Sequence, residues 1–164
     1  MPAASMTAGM KQLQSAMKRL QSKAKSAVEK GMTSAALRAR VIMVEEAQAK
    51  RVFNTGYYVR AWKASKLPAS YTVRVYNDSP YAAVVEKGRR AGARMPPVEP
   101  IARWAQRKFK LPYKIAKGIG FAIARNIQKR GIPGRNVLED AKPKLQKMMT
   151  EEIEREILTA LGTT

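Results

Sequence analysis

The stretch NTGYYVRAWKASKLPASYTVRVYNDSP, Asn54–Pro80, is where the character of the chain changes. Upstream of it, apolar residues recur at helical spacing. Within it they gather as β-branched and aromatic residues, and in YTVRVYN they alternate, Tyr71, Val73 and Val75 against Thr72, Arg74 and Tyr76. Period-two alternation of this composition marks a half-buried strand. The segment predicts two antiparallel strands, YYVRAWKASKL and YTVRVYN, joined by a turn at Pro68–Ser70 and stopped by NDSP. Ser79 is placed as an N-cap and Pro80 as the first residue of a following helix, where a missing N–H costs nothing.

Outward toward the N-terminus, Lys11–Lys30 carries Leu13, Met17, Leu20, Ala24, Ala27 and Val28 on one stripe among Lys and Gln. This predicts an amphipathic helix that Gly31 stops. A second helix is expected from Thr33 or Ser34 through the Val52/Phe53 pair, with Leu37, Val41 and Val44 inward, ended by Asn54–Gly56. Residues 1–10 are expected to be a flexible N-terminus and 11–164 a single domain, which suits a chain of 164 residues.

Outward toward the C-terminus, YAAVVEKG at Tyr81–Gly88 reads as a short helical segment running into an arginine loop, Arg89–Pro97. That loop has only Ala91, Ala93 and Met95 to bury. Ordering it costs about 1 to 2 kcal/mol per residue, while those side chains return only a few kcal/mol. An external anchor is therefore expected. PPVEPIARWAQRKF predicts a helix with Ile101, Trp104 and Ala105 inward, broken by LPY. YKIAKGIGFAIARNIQKRG predicts a longer one, with Ile115, Ile119, Ala122, Ile123 and Ile127 on its inner face and Gly131 as its stop. In GIGFAIA, Gly118 and Gly120 are read as letting another backbone approach. GIPGR, Gly131–Arg135, is read as a turn between helices. The last helix starts at about Asn136 or Val137 and turns Leu138, Leu145, Met149, Ile153, Ile157 and Leu161 inward, with Pro143 in its early turns. The order predicts an α+β fold: a small antiparallel β-sheet, the hairpin plus one or two further strands, packed against several helices, with long N- and C-terminal helices.

Composition narrows the chemistry. There is no His and no Cys, which removes the commonest general base, thiolate nucleophiles and most zinc or copper sites. The absence of cysteine suits a reducing compartment. Glu45/Glu46 and Glu151/Glu152 are neighbours on helices that diverge by about 100° per residue, so neither is an acid–base pair; both are read as solvated surface. GIGFAIA lacks the third glycine of a dinucleotide loop, and GIPGR lacks the GK[ST] ending of a phosphate loop. No catalytic residue, metal site or cofactor is expected. The start of the chain lacks the apolar run of a secretory signal, and no run approaches the about 20 residues that span a bilayer. The charge is +20, from 32 basic and 12 acidic residues, which calls for an anionic partner. From Lys87 to Arg135 there are fourteen Lys and Arg and one acid, Glu99, whereas from Glu139 onward six acids face four bases. Nucleic acid is one candidate, although no zinc-finger spacing, ribonucleoprotein aromatic motif or helix-turn-helix provides a reading device.

The order of segments carries more than any single motif. A helix ending in Thr55 and Gly56 leads into a strand. A segment with Tyr81, Ala82, Val85, Glu86 and Gly88 follows the second strand, the helix of Trp104 comes next, and the turn Gly131, Ile132, Pro133, Gly134 precedes Leu138 and Ala141. This pattern resembles the tail-component family of long-tailed bacteriophages, small neck proteins called tail-completion or head–tail joining proteins. The resemblance covers roughly residues 34–141. It implies a non-enzymatic α+β protomer that forms a ring, commonly of six copies, at the head-proximal end of the tail, through heterologous contacts closed by rotation. It further implies neck and tail partners (connector or stopper, tail terminator or tail tube), non-specific contact with packaged DNA, no membrane, and a place in the virion after assembly in the host cytoplasm. Tyr81 and Ala82 would then seat the short helix on the hairpin, Glu86 would cap or pair with a base, and Gly88 would supply a positive φ into the loop. Arg89, Arg90 and Arg94 would make inter-subunit or DNA-lumen contacts.

Overall fold

Ala, Lys, Gln and Met dominate the first fifty residues, and these are strong helix formers. In the computed structural model, which describes residues 3–52, 55–68 and 70–162, they form one helix, α1, Ala3–Ala49. Gly31, expected to stop it, lies inside it. Its lack of a side chain serves packing: a Cβ there would stand 2.9 Å from the Ile153 Cα. The inner face is also shifted from the expected one. Ala27, Met32, Ala35, Ala36, Ala39, Met43 and Ala47 are buried, while Leu37 is 70% exposed and Val41 is exposed. Small side chains face inward because a close helical neighbour leaves no room for branched ones. The expected amphipathic stripe of Leu13, Met17 and Leu20 is exposed.

The fold is 70% helical, an α+β arrangement with two two-stranded sheets. After α1 come α2 (Tyr57–Arg60), β1 (Trp62–Lys66), β2 (Val73–Asn77), α3 (Ala82–Lys87), β3 (Gly88–Arg89), α4 (Val98–Phe109), α5 (Tyr113–Arg130), β4 (Ile132–Pro133) and α6 (Val137–Leu161). The first expected strand thus begins only at Trp62, because Gly56, at φ 72°, starts a helical turn instead. Ser79 and Pro80 precede α3 rather than cap it, since Tyr81 is its N-cap residue. Phe53, Asn54 and Ala69, assigned above to a helix end and the hairpin turn, lie outside the described residues, as do Met1 and Pro2 of the expected flexible segment.

The chain divides into two compact units, a finer partition than one domain over 11–164. The first takes the described residues within Met1–Ile42, Lys63–Tyr76 and Lys142–Thr164, and the second those within Met43–Trp62 and Asn77–Ala141. In the first unit, α6 turns Leu145, Met148 and Glu152 inward. Glu152 is only 1% exposed, which overturns its reading as solvated surface. It pairs with Arg38 of α1 and, at 3.1 Å, with Arg155 one turn along. A carboxylate so buried stays charged only because cations hold it, and the Arg38 hydrogen bond keeps it below the usual carboxylate range. Glu46 is buried as well, in the second unit.

The second unit is built on α4 and α5. Ala102 and Ala105 face Ala116, Gly120 and Ala124, a seam of small residues. At Gly120 a Cβ would lie 2.8 Å from the Ala102 Cα, whereas one at Gly118 would meet nothing within 4 Å. Only Gly120 admits the neighbouring backbone. The seam displaces the expected face of branched residues, leaving Ile115 and Ala122 exposed and Ile123 and Ile127 at its margin. The helices are joined by Lys110, in the left-handed region at φ 53°, and Pro112, which leads into α5.

Candidate functional site

The segments that carry the resemblance meet at one place in the second unit. Gly88 pairs with Pro133 and Arg89 with Ile132, so the supposed interhelical turn contains a strand, β4, antiparallel to β3. The backbone interlocking continues beyond the Gly88–Pro133 end of this pair. Val85 O accepts from Arg135 N at 2.7 Å and Glu86 O from Asn136 N at 3.2 Å. Gly88, at φ 73°, and Gly131, at φ 74°, hold conformations that strain any other residue, and both are crossed by the partner strand: a Cβ on Gly88 would stand 2.5 Å from Gly134 N, and one on Gly131 2.9 Å from Ala91 N.

Glu86 is the hub. Its carboxylate accepts from the Tyr58 hydroxyl at 2.8 Å and from the Leu138 N–H at 3.0 and 3.2 Å. The latter lies in the first turn of α6, where four N–H groups lack intrahelical partners and negative charge is favoured. Tyr58 is buried and edge-on to Trp62, with ring centroids 5.8 Å apart, and its pKa is pushed up by burial and then by Glu86, so it remains a donor. Asn77 supports it from β2, its Nδ2 donating to Tyr58 O at 2.9 Å and its Oδ1 accepting from Ser79 N at 2.9 Å. Tyr81 lies on Tyr57 and Tyr58, centroids 6.2 and 6.4 Å away, and Ala82 N bonds Ser79 O at 3.0 Å. Thr55 O accepts from Arg60 at 3.1 Å.

The arginine loop leaves this clamp already anchored, which corrects the expectation that it cannot order itself. Gly92 N bonds Gln128 O on α5 at 2.7 Å, and the Arg89 guanidinium donates to Arg94 O across the loop. Arg89 is half-buried, and its Nε is buried without a hydrogen-bond acceptor. Arg90 and Arg94 are exposed. Of the three arginines, one is partly enclosed and two face solvent.

Beside the loop an apolar groove of about 660 Å³ opens between α4, α5 and the clamp. Ile101 and Trp104 line it from α4, Ile123 and Ile127 from α5, and Tyr81 and Ile132 from the clamp, with Arg89 in its wall. Trp104 is half-buried, with Phe109 edge-on at 5.8 Å and the Lys108 ammonium 5.2 Å from its ring centroid. Glu99, the lone acid of the basic stretch, is engaged by the Tyr113 hydroxyl and by Arg103 Nε at 2.8 Å, and these bonds hold its pKa down. The isoleucines at helical spacing were a sign of this groove, but their partners across it are remote in sequence.

Among the described residues no group of three or more acidic side chains could hold a metal ion, and no helix is long and apolar enough to cross a membrane. No protein-family model matches the chain, and no curated protein or solved structure matches it.

Proposed function

We propose that the chain is a structural protein of a bacteriophage neck, a subunit of a ring that joins or completes the tail at its head-proximal end. The observation that supports this best is the convergence of the residues behind the resemblance. Glu86, Gly88, Gly131, Pro133 and Gly134 come together as an interlocked backbone clamp, not as a reacting centre. The Glu86 carboxylate and the backbone groups of Val85, Glu86, Arg135 and Asn136 all hold chain to chain. What it presents is an exposed pair of arginines and an apolar groove, surfaces suited to protein partners. The reading is non-enzymatic, with connector, stopper, terminator or tube proteins as partners and the virion as destination. Native mass spectrometry and negative-stain imaging of the full chain, alone and with purified neck and tail components, test it. Rings seated at the head-proximal end are expected; a chain that stays monomeric and binds none of the components refutes it.

A basic nucleic-acid-binding protein without enzymatic activity is the second reading, favoured by the exposure of Arg90 and Arg94 in a stretch whose one acid is already engaged. Gel-shift titration across salt separates the two. Tight, sequence-dependent binding that persists at physiological salt supports the second; binding that vanishes there supports the first.

A further inference from the structure

The exposed face of α6 is organised differently from its buried one. Glu151, Glu154, Leu158 and Leu161 follow one another at spacings of three, four and three, which puts them on a single stripe. All four are exposed, Leu158 at 47% and Leu161 at 50%. The stripe is acidic in its first half and apolar in its second. It lies in the segment from Glu139 onward, where six acids face four bases.

The groove of the second unit has the complementary character. Its floor is Ile101, Trp104, Ile123 and Ile127, Arg89 stands in its wall and Lys108 over the Trp104 ring, and the helical stripe of Ile123 and Ile127 continues to exposed Arg130. Arg89 is half-buried, and among the described residues its guanidinium bonds to the Arg94 carbonyl while its Nε has no acceptor. A charge in that position is stabilised by an incoming anion. The chain has another exposed apolar stripe, Leu13, Met17 and Leu20, but Lys11, Lys18, Arg19 and Lys23 accompany it, and a cationic margin repels them.

We infer that the groove of one copy receives the last turns of α6 of a second copy, Leu158 and Leu161 on its apolar floor and Glu151 and Glu154 toward its cationic margin. The contact joins two different surfaces, so it is heterologous and can repeat from copy to copy. It rests on the ring reading and supplies that ring with its subunit contact.

Full-length variants test it by sedimentation velocity at physiological ionic strength, where charges more than about 8 Å apart are largely screened. Leu158→Ser with Leu161→Ser removes the apolar knobs and alters only exposed side chains. Ile101→Glu puts a carboxylate into the groove. Wild type is expected to self-associate with concentration, and each variant alone to do so at least about tenfold more weakly. An equimolar mixture of the two is expected to stop at heterodimers, since one keeps an intact groove and the other an intact helix end. Should Ile101→Glu unfold on a circular-dichroism melt, tryptophan emission is the second measure. Trp104 in the groove should respond to wild-type association while buried Trp62 does not, and the Leu158→Ser/Leu161→Ser protein should show no response. Wild type that is monomeric at every concentration, a leucine variant that associates as tightly as wild type, or a mixture without heterodimers overturns the contact. In each of those cases rings formed on neck or tail components would still sustain the neck reading, whereas their absence would refute that reading itself.

Discussion

Glu86→Ala is the substitution that asks most directly whether the clamp holds the second unit together. In the structure its carboxylate is the acceptor for the Tyr58 hydroxyl and the Leu138 N–H, at 2.8 and 3.0 Å. Hydrogen bonds to a charged group contribute about 1.5 to 3 kcal/mol each. Because the site is half-buried, water replaces part of this, and the lower end applies to each bond, for a sum of about 3 kcal/mol. For a chain of this length each kcal/mol moves the melting temperature by about 2 to 4 °C. The expected drop is therefore about 6 to 12 °C, read by circular dichroism. Glu86→Gln keeps an acceptor oxygen and loses only the charge, so it should cost about 1 kcal/mol. A double-mutant cycle of Glu86→Ala with Tyr58→Phe should show a coupling above about 0.5 kcal/mol, because the two side chains share one bond. A Glu86→Ala protein that melts within about 2 °C of wild type, or a cycle that is simply additive, would refute the reasoning that this carboxylate ties α3 to α6.

Two glycines two residues apart, on different faces of α5, should respond oppositely. Gly118→Ala meets open space inside a helix and should stabilise by about 0.5 to 1 kcal/mol, whereas Gly120→Ala forces a Cβ against Ala102 and should destabilise by about 1 to 3 kcal/mol, both read from urea midpoints. Glu152 should contribute to the acid limb of stability. Its folded pKa lies below its unfolded value of about 4.3, so its contribution is complete above that pH and is lost as pH falls through the folded value. Urea midpoints of Glu152→Gln should be lower near neutrality and flatter into acid than those of wild type, and parallel curves would contradict this. Arg90→Ala with Arg94→Ala should leave stability within about 0.5 kcal/mol of wild type, as for exposed residues generally, yet weaken binding to neck and tail components.

The α+β class was legible because it depends on local signals. Alternation in YTVRVYN, helical spacing in α4 and α5, and a glycine stop at Gly131 each act within a few residues. Inner faces were less legible, and the errors share one cause. Leu37, Val41, Ile115 and Ala122 sit at positions that hydrophobicity alone turns inward, yet α1 and α5 pack through Ala, Gly and Met. A face of small residues has a weak apolar signal, and its value comes from the closeness of the neighbouring backbone, which no window of sequence contains. Gly31 was misread for the same reason: a glycine in a helical run looks like a stop until the residue across from it, Ile153, is known.

The arginine loop shows the same limit in energetic form. Counting only Arg89–Pro97, its apolar side chains could not offset the entropy of ordering it. That reckoning left out backbone hydrogen bonds to partners distant in the chain, the pairing of Arg89 with Ile132 and the Gly92 bond to Gln128. Those bonds transfer the cost of ordering to α5 and β4, which are ordered in any case. The consequence for function is a change in what the loop needs from outside. A loop that is held from within does not have to pay its ordering entropy at the moment of binding, so under the proposed neck reading Arg90 and Arg94 would meet a partner preorganised. Under that reading a partner would contribute to recognition, not to folding. Arg89 has moved from the recognition set to the wall of the groove, where its half-buried charge bears on what the groove can accept.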